Sequence, residues 1–234
     1  MPDGKRLVVA GEADYMVVLD VTQPIPTVES RLKTPTLFTY SLAASEDSKY
    51  IFNCMNDGAV GMWDLPKGEM VKSFTGHEDS VTCCALTKDS SQLITGSLDE
   101  TVRVWDVAQG TEVLRFDCHS KIFSLGVPPH SSYVAVGLEN ATVVLKSLRG
   151  DGRVDRELLV HDYCVLSMKW SPTGGWMVTT GKDRKWVVWR GKDMGTVFQQ
   201  QETSSILCTD VSACGGYVLT GSGDKFASLY QLLY

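Results

Sequence analysis

The stretch that decides the fold is FTGHEDSVTCCALTKDSSQLITGSLDETVRVWD, residues 74–106. It begins with the pair Gly76-His77 and ends with the pair Trp105-Asp106. Two runs of apolar and β-branched residues lie between them, separated by short turns rich in Ser, Asp and Lys. Such runs, bounded by turn residues, predict short strands. The stretch therefore predicts part of an antiparallel sheet.

The Trp-Asp ending recurs along the chain, intact or altered. The six positions are Leu19-Asp20, Trp63-Asp64, Trp105-Asp106, Leu145-Lys146, Trp189-Arg190 and Tyr230-Gln231. The steps between them are 44, 42, 40, 44 and 41 residues. A period of about 40–45 residues with Gly-His and Trp-Asp signatures is typical of a WD-repeat β-propeller, in which each blade is a four-stranded sheet. We therefore expect an all-β fold.

The strand pattern also predicts how much of a propeller is present. Three strands come first, then four blades of four strands, then three strands. We expect residues 1–234 to be one partial WD-repeat β-propeller, with five to six blades of a seven-bladed ring. The chain would be the C-terminal portion of that ring, as a fragment or a truncated form. The alternative is a ring closed differently, with six compact blades.

A set of polar residues recurs at blade spacing and is predicted to fasten the blades. An acid stands six residues before four of the Trp positions, and Asn or Thr stands four residues before each acid: Asp57, Asp99, Asp183 and Asp224, with Asn53, Thr95, Thr179 and Thr220. A buried carboxylate needs hydrogen-bond donors. In the best blade we expect His77, Thr95 and Trp105 to surround Asp99. Because the arrangement recurs, we interpret it as structural and predict no catalytic residue.

Composition and charge exclude several functions. The formal net charge is −6, which disfavours binding to a phosphate backbone, so no direct contact with nucleic acid is expected. No apolar run is long enough for a transmembrane helix, and no membrane partner is predicted. The seven cysteines include no C-x-x-C pair and indicate reduced thiols. His77, Cys83 and Cys84 come closest to a zinc site but lack the clustered Cys and His ligands that zinc needs, so neither metal nor cofactor is predicted.

One position in the predicted inner strands carries large apolar residues. The residues aligned there are Tyr40, Cys83, Phe123, Leu166 and Leu207. Inner strands line the central channel of a propeller, so most of these side chains are expected to form an apolar collar at the channel mouth. Glu12 lies in a turn on the same face. A collar beside an acid suits a short peptide with apolar anchors and a basic residue. The alternative is that these residues only pack between blades.

Five segments give the chain a more specific resemblance. They are Ser120–Gly126, His161–Ser167, Thr180–Asp183, Glu202–Cys208 and Thr220–Lys225. Together with Asp3–Glu12 and Asp99–Asp106, they resemble the C-terminal propeller of the Groucho/TLE transcriptional corepressors. The resemblance covers essentially the whole chain.

The resemblance implies a non-enzymatic corepressor module that acts in the nucleus. Its partners would be DNA-binding transcriptional repressors, which the family binds through two kinds of short motif. One is a C-terminal Trp-Arg-Pro-Trp type tetrapeptide, and the other is an Engrailed-homology helix. The family's peptide-binding positions that match here are Glu12, Tyr40, Phe123, Leu166 and Leu207. Family members oligomerise through an N-terminal segment that this sequence does not contain.

Two other functions were weighed. A generic WD-repeat scaffold of a signalling or ubiquitin-ligase complex would have the same repeat without the peptide-binding collar. An enzyme would need a nucleophile, a carboxylate pair or metal ligands outside the repeated Asp set, and no such spacing stands out. The sequence departs from the family pattern at Cys83-Cys84 and at Trp186, which puts the choice of partner in question.

Overall fold

The computed structural model describes residues 1–129, 133–149 and 154–232. These residues form 22 strands in six antiparallel sheets and no helix. Accordingly, no helix among them is long and apolar enough to cross a membrane. The sheets contain three, four, four, four, four and three strands in chain order, which confirms the predicted all-β blades. The chain divides into two compact units, Met1–Arg115 and Phe116–Tyr234.

The first unit contains three blades, each a simple meander in which consecutive strands pair. The last strand of its third blade crosses the boundary between the units. The strands of the first blade are β1 (Arg6–Val9), β2 (Tyr15–Asp20) and β3 (Thr27–Lys33). Those of the second blade are β4 (Thr39–Ala44), β5 (Tyr50–Met55), β6 (Val60–Asp64) and β7 (Glu69–Phe74). Those of the third blade are β8 (Val81–Leu86), β9 (Gln92–Ser97), β10 (Thr101–Asp106) and β11 (Glu112–Asp117).

The second unit contains the other three blades, with the same meander order. The strands of the fourth blade are β12 (Ile122–Gly126), β13 (Tyr133–Leu138), β14 (Thr142–Ser147) and β15 (Val154–Leu159). Those of the fifth blade are β16 (Val165–Trp170), β17 (Trp176–Gly181), β18 (Lys185–Arg190) and β19 (Thr196–Gln201). Those of the sixth blade are β20 (Ile206–Val211), β21 (Tyr217–Ser222) and β22 (Ala227–Gln231).

The middle strands of the four-stranded blades are buried on both faces. All five residues of β6 and all six residues of β17 are buried. The outer strand β7 buries only Phe74, whose ring meets Trp105 edge-on with centroids 5.9 Å apart. The second and third blades of the first unit thus share one apolar layer. The sequences of the middle strands are nearly continuous apolar runs, because both faces of these strands are covered.

The second unit has an equivalent layer between its fourth and fifth blades. Trp189 lies in that layer with Leu158, Met177 and Val187, and all four are buried. Burial of a Trp of this size contributes several kcal/mol through apolar area and contacts, about 3–5 kcal/mol by the cost of its truncation. The Trp of the repeat is therefore a packing residue that holds one blade against the preceding one.

Candidate functional site

The recurring polar residues of the third blade form one hydrogen-bonded chain. Trp105 Nε1 donates to Thr95 Oγ1 over 2.9 Å, and Thr95 Oγ1 lies 2.7 Å from His77 Nε2. On the other side of the ring, His77 Nδ1 lies 2.8 Å from Asp99 Oδ2. The chain runs from β10 through β9 to the loop before β8 and the turn between β9 and β10, so it links two strands, a loop and a turn. It fixes the blade and leaves no ring nitrogen free for catalysis.

The fifth blade repeats this arrangement with different residues. Trp189 Nε1 donates to Thr179 Oγ1 over 2.9 Å, Thr179 Oγ1 lies 2.9 Å from His161 Nε2, and His161 Nδ1 lies 3.0 Å from Asp183 Oδ2. Asp183 also accepts the backbone N–H of Asp162. Thr179 and Asp183 belong to the recurring set predicted from the sequence, but His161 does not. The signal was available, because His161 precedes Asp183 by the same 22 residues that separate His77 from Asp99.

Two other blades fasten the same positions with different chemistry. In the second blade, Trp63 Nε1 donates to Asn53 Oδ1 over 2.8 Å. In the sixth blade, the hydroxyls of Thr220 and Tyr230 both donate to Glu202 Oε1, over 2.8 and 2.9 Å. In the sixth blade, Glu202 therefore holds the threonine hydroxyl, as His77 and His161 do in the third and fifth blades. A search for Gly-His pairs misses this carboxylate.

The burial of the His77 set shifts its titration. Loss of hydration lowers the pKa of His77 below 6.5 and outweighs the opposing hydrogen bond to Asp99. Loss of hydration alone would raise the pKa of Asp99. Donation from Thr101, from the backbone N–H of Glu78 and from His77 outweighs it and lowers the pKa of Asp99 to about 2. At neutral pH, His77 is therefore neutral and donates its Nδ1–H to the Asp99 carboxylate.

We expect acid to destabilise the protein in two stages. A buried histidine with a lowered pKa stabilises the fold only while it is neutral, so this stability falls as the pH drops below 6.5, where unfolded histidine takes up its proton. The carboxylate of Asp99 adds stability that is fully present above 3.8 and is lost as the pH falls towards about 2. Urea unfolding from pH 7.5 down to about pH 2 would measure both stages. In Asp99→Asn the lower stage should shrink, and greater stability at pH 5 than at pH 7.5 would contradict the assignment.

Each inner strand after the first blade has a β-bulge at its start. The cross-strand register skips one residue in all five strands: Tyr40 in β4, Thr82 in β8, Phe123 in β12, Leu166 in β16 and Leu207 in β20. We call these five the bulge residues. A bulge takes its extra residue out of the one-to-one pairing of the ladder and turns the side chain in a new direction. The residue before each bulge residue is buried, so each bulge is anchored beside the core.

In the first unit, the bulge at Tyr40 lies beside the turn that contains Glu12. Glu12 forms an isolated bridge with Phe38, and the backbone N–H of Thr39 donates to Gly11 O over 3.1 Å. The ring of Phe38 stacks on Tyr40 with centroids 6.5 Å apart. Tyr40 keeps 51% of its surface exposed, and Glu12 is also exposed. An exposed aromatic side chain and an exposed acidic residue therefore lie on backbone segments that are bridged to each other.

In the second unit, the bulge residues Phe123, Leu166 and Leu207 lie on three adjacent inner strands. Ser124 Oγ donates to Val165 O over 3.1 Å and so connects β12 to β16. The backbone N–H of Thr209 donates to Ser167 Oγ over 3.1 Å and so connects β16 to β20. Leu207 is 54% exposed, and Phe123 and Leu166 are partly exposed. The three apolar side chains thus form one row that is open to solvent.

The register corrects one member of the aligned row. The sequence alignment put Cys83 at the position of Tyr40, but the bulge in β8 falls on Thr82, and Cys83 is buried and paired with Gly96. A run of apolar residues hides this difference. The buried residue before the bulge would have been the better guide, because Val81 aligns with Ile122, Val165 and Ile206.

Two thiols of the first unit, those of Cys54 and Cys83, are deeply buried. Burial raises the pKa of Cys83 to about 12, and burial also raises the pKa of Cys54 well above its ordinary value. A buried thiol of this kind is a weak nucleophile. Among residues 1–129, 133–149 and 154–232, no three His, Cys, Asp or Glu side chains are grouped so that they could hold a metal ion.

Two sets of comparisons place the chain among known proteins. The WD domain, G-beta repeat family matches residues 68–106 and 152–190, the two segments that contain the complete Trp–Thr–His–Asp chains. Protein groucho of Drosophila melanogaster is 41% identical over 235 residues, which cover 100% of this chain and 32% of that protein. Transducin-like enhancer protein 2 of Mus musculus is 39% identical over 234 residues, which cover 100% of this chain and 30% of that protein.

The similarity extends along the whole of this chain but over only about a third of either relative. It covers every blade of this chain and so extends well beyond the two segments that match the repeat family. The resemblance predicted from the sequence is therefore confirmed: the chain belongs to the Groucho/TLE family and corresponds to its WD-repeat part.

Proposed function

We propose that this chain is a non-enzymatic transcriptional corepressor module that binds short peptide motifs of DNA-bound repressors in the nucleus. The motifs would be of the Trp-Arg-Pro-Trp and Engrailed-homology types, as the family resemblance implies. The observation that carries the proposal is the set of bulge residues. Tyr40, Phe123, Leu166 and Leu207 present large apolar side chains to solvent from backbone that is otherwise buried and paired.

The physical basis is the burial of peptide anchors on a rigid surface. A Trp, Phe or Leu anchor that becomes buried contributes about 1.5–3 kcal/mol, from which the cost of ordering the peptide is subtracted. Because the row of Phe123, Leu166 and Leu207 is already fixed by the strand ladder, the protein itself loses little entropy on binding. In the first unit, Glu12 beside Tyr40 suits a motif that combines an aromatic anchor with a basic residue.

Partner choice follows from charge. With a formal net charge of −6, the chain is better suited to a peptide than to the phosphate backbone of DNA. A single short peptide buries little area, so modest affinity is expected. If the full-length protein oligomerises as its family does, several weak sites would act together and strengthen recruitment.

The test is a titration of the purified chain with a fluorescent peptide ending in Trp-Arg-Pro-Trp. We expect saturable binding that is lost when both Trp of the peptide are replaced by Ala. Leu207→Asp should weaken binding at least about tenfold, because it puts a charge where an apolar anchor is buried. The matched control is Leu229→Asp. Leu229 is 66% exposed on β22 and is not a bulge residue, so this change should leave the affinity unaltered.

Two results would overturn the proposal. One is a cooperatively folded chain that binds the peptide no better than its Trp-free version. The other is equal weakening by Leu207→Asp and Leu229→Asp, which would show that the bulge residues have no special role. Thermal unfolding followed by circular dichroism would establish that each variant is folded.

A further inference from the structure

The outer strand of the fifth blade is unusually open. All six residues of β19, Thr-Val-Phe-Gln-Gln-Gln, are exposed. Val197 is 56% exposed and Phe198 is 45% exposed, and β19 pairs with β18 only. The strand combines β-branched and aromatic residues with glutamines, and it contains no proline or glycine. Exposed segments of this composition readily accept a further strand.

Charge sets β19 apart from the corresponding strands of the other blades. The edge strands β3, β7, β11 and β15 each contain charged residues: Glu29, Arg31 and Lys33; Glu69 and Lys72; Glu112, Arg115 and Asp117; Asp155, Arg156 and Glu157. Charged residues on an edge strand oppose pairing with another chain. The strand β19 has none. The strand β22 is also uncharged, so a test must separate these two edges.

The hydrogen-bonding direction of β19 follows from its register. The backbone N–H of Glu202 donates to Arg184 O over 2.8 Å, and Gln200 lies opposite Trp186. In an antiparallel ladder, bonded pairs alternate with non-bonded pairs. The N–H and C=O groups of Gln199 and Gln201 therefore point away from β18, towards the open edge, in the orientation that a new strand needs.

We propose that β19 pairs antiparallel with β19 of a second copy of this chain and forms a two-fold symmetric dimer. The segment is self-complementary, because in a two-fold antiparallel pair every residue of β19 lies opposite another uncharged residue of β19, so no like charges meet. The assembly stops at two copies, since the other edge of β19 is already occupied by β18. This interface is separate from the bulge residues, so the proposal does not depend on peptide binding.

The test is sedimentation equilibrium of the full chain over a wide concentration range. We expect a reversible monomer–dimer equilibrium of weak affinity, because one strand pair buries less than the roughly 1,000 Å² of a stable interface. Gln199→Lys should weaken the dimer at least about tenfold, since each dimer acquires two like charges close to its axis. Gln199→Pro should do the same by removing an N–H that faces the edge. The control Gln109→Lys adds the same charge at an exposed turn of the first unit and should change nothing.

Hydrogen exchange distinguishes pairing at β19 from a general loss of stability, because it reports on individual backbone amides of that strand. The amides of Gln199 and Gln201 should become protected as the concentration of the wild-type chain rises, and should stay unprotected in Gln199→Lys. A chain that remains monomeric at the highest concentration would overturn the proposal. So would a dimer that survives both Gln199 variants but dissociates in Leu229→Lys, because its interface would then be the edge of β22.

Discussion

Asp183→Ala is expected to lower the free energy of unfolding by about 3 kcal/mol. The carboxyl side chain of Asp183 is 2% exposed and accepts His161 Nδ1 and the backbone N–H groups of Asp162 and Lys185. Removal of the carboxylate leaves buried donors without an acceptor, which costs more than the hydrogen bonds contributed. Urea unfolding at pH 7.5, followed by circular dichroism, measures the loss.

The neighbouring acid provides the matched control. Asp162 contacts Asp183 through its backbone N–H, but its own side chain is 66% exposed and pairs with Lys185 Nζ over 2.7 Å at the surface. An exposed ion pair contributes about 0–1 kcal/mol, so Asp162→Ala should change stability by no more than that. If the two substitutions had equal effects, the polar chain around His161 could not be what fastens the fifth blade.

Trp189→Ala is expected to cost about 4 kcal/mol, the largest effect of a single substitution that we anticipate. Trp189 is 3% exposed and packs in the apolar layer between the fourth and fifth blades. The substitution removes this packing and also the indole N–H that donates to Thr179 Oγ1. Thermal and urea unfolding should both shift, and the unfolding transition should remain cooperative only if the two blades still pack together.

Trp189→Phe separates the two contributions. It keeps most of the apolar volume and loses the indole N–H, so we expect a loss of about 1–2 kcal/mol. The hydroxyl of Thr179 still has His161 Nε2 as a partner over 2.9 Å, which limits the penalty. A Phe variant as unstable as the Ala variant would mean that the hydrogen bond dominates and that packing of the ring contributes little.

The features that repeat along the chain were predictable from sequence. The period of the Trp positions predicted the blades, and the spacing of Thr95, Asp99 and Trp105 identified residues that the structure brings together in one hydrogen-bonded chain. Repetition makes such inferences strong, because each blade must bury an equivalent apolar layer and provide hydrogen bonds for the polar groups of an equivalent turn. The six sheets, with three or four strands each, follow from that requirement.

The features that sequence reasoning missed are those in which a different residue occupies a familiar position. His161 is preceded by Val160 instead of glycine, and Glu202 stands where the other blades have histidine. Each of the two side chains nevertheless forms a hydrogen bond with the threonine of its blade, Thr179 or Thr220. In β8 the aligned position was placed one residue too late, at Cys83, for another reason. Apolar residues on both sides of Thr82 allow either register, and only the backbone pairing decides between them.

The bulges have a consequence for which residues the inner strands can accept. A residue that belongs to a ladder cannot change freely, because its neighbours across the sheet constrain its size and polarity. A bulge residue stands outside the one-to-one pairing of the ladder, and Tyr, Thr, Phe and Leu all occupy the position here. The same backbone therefore accepts side chains of very different size and polarity at this position. Thr82 is the polar member of the set, and its hydroxyl donates to Gly96 O over 3.1 Å.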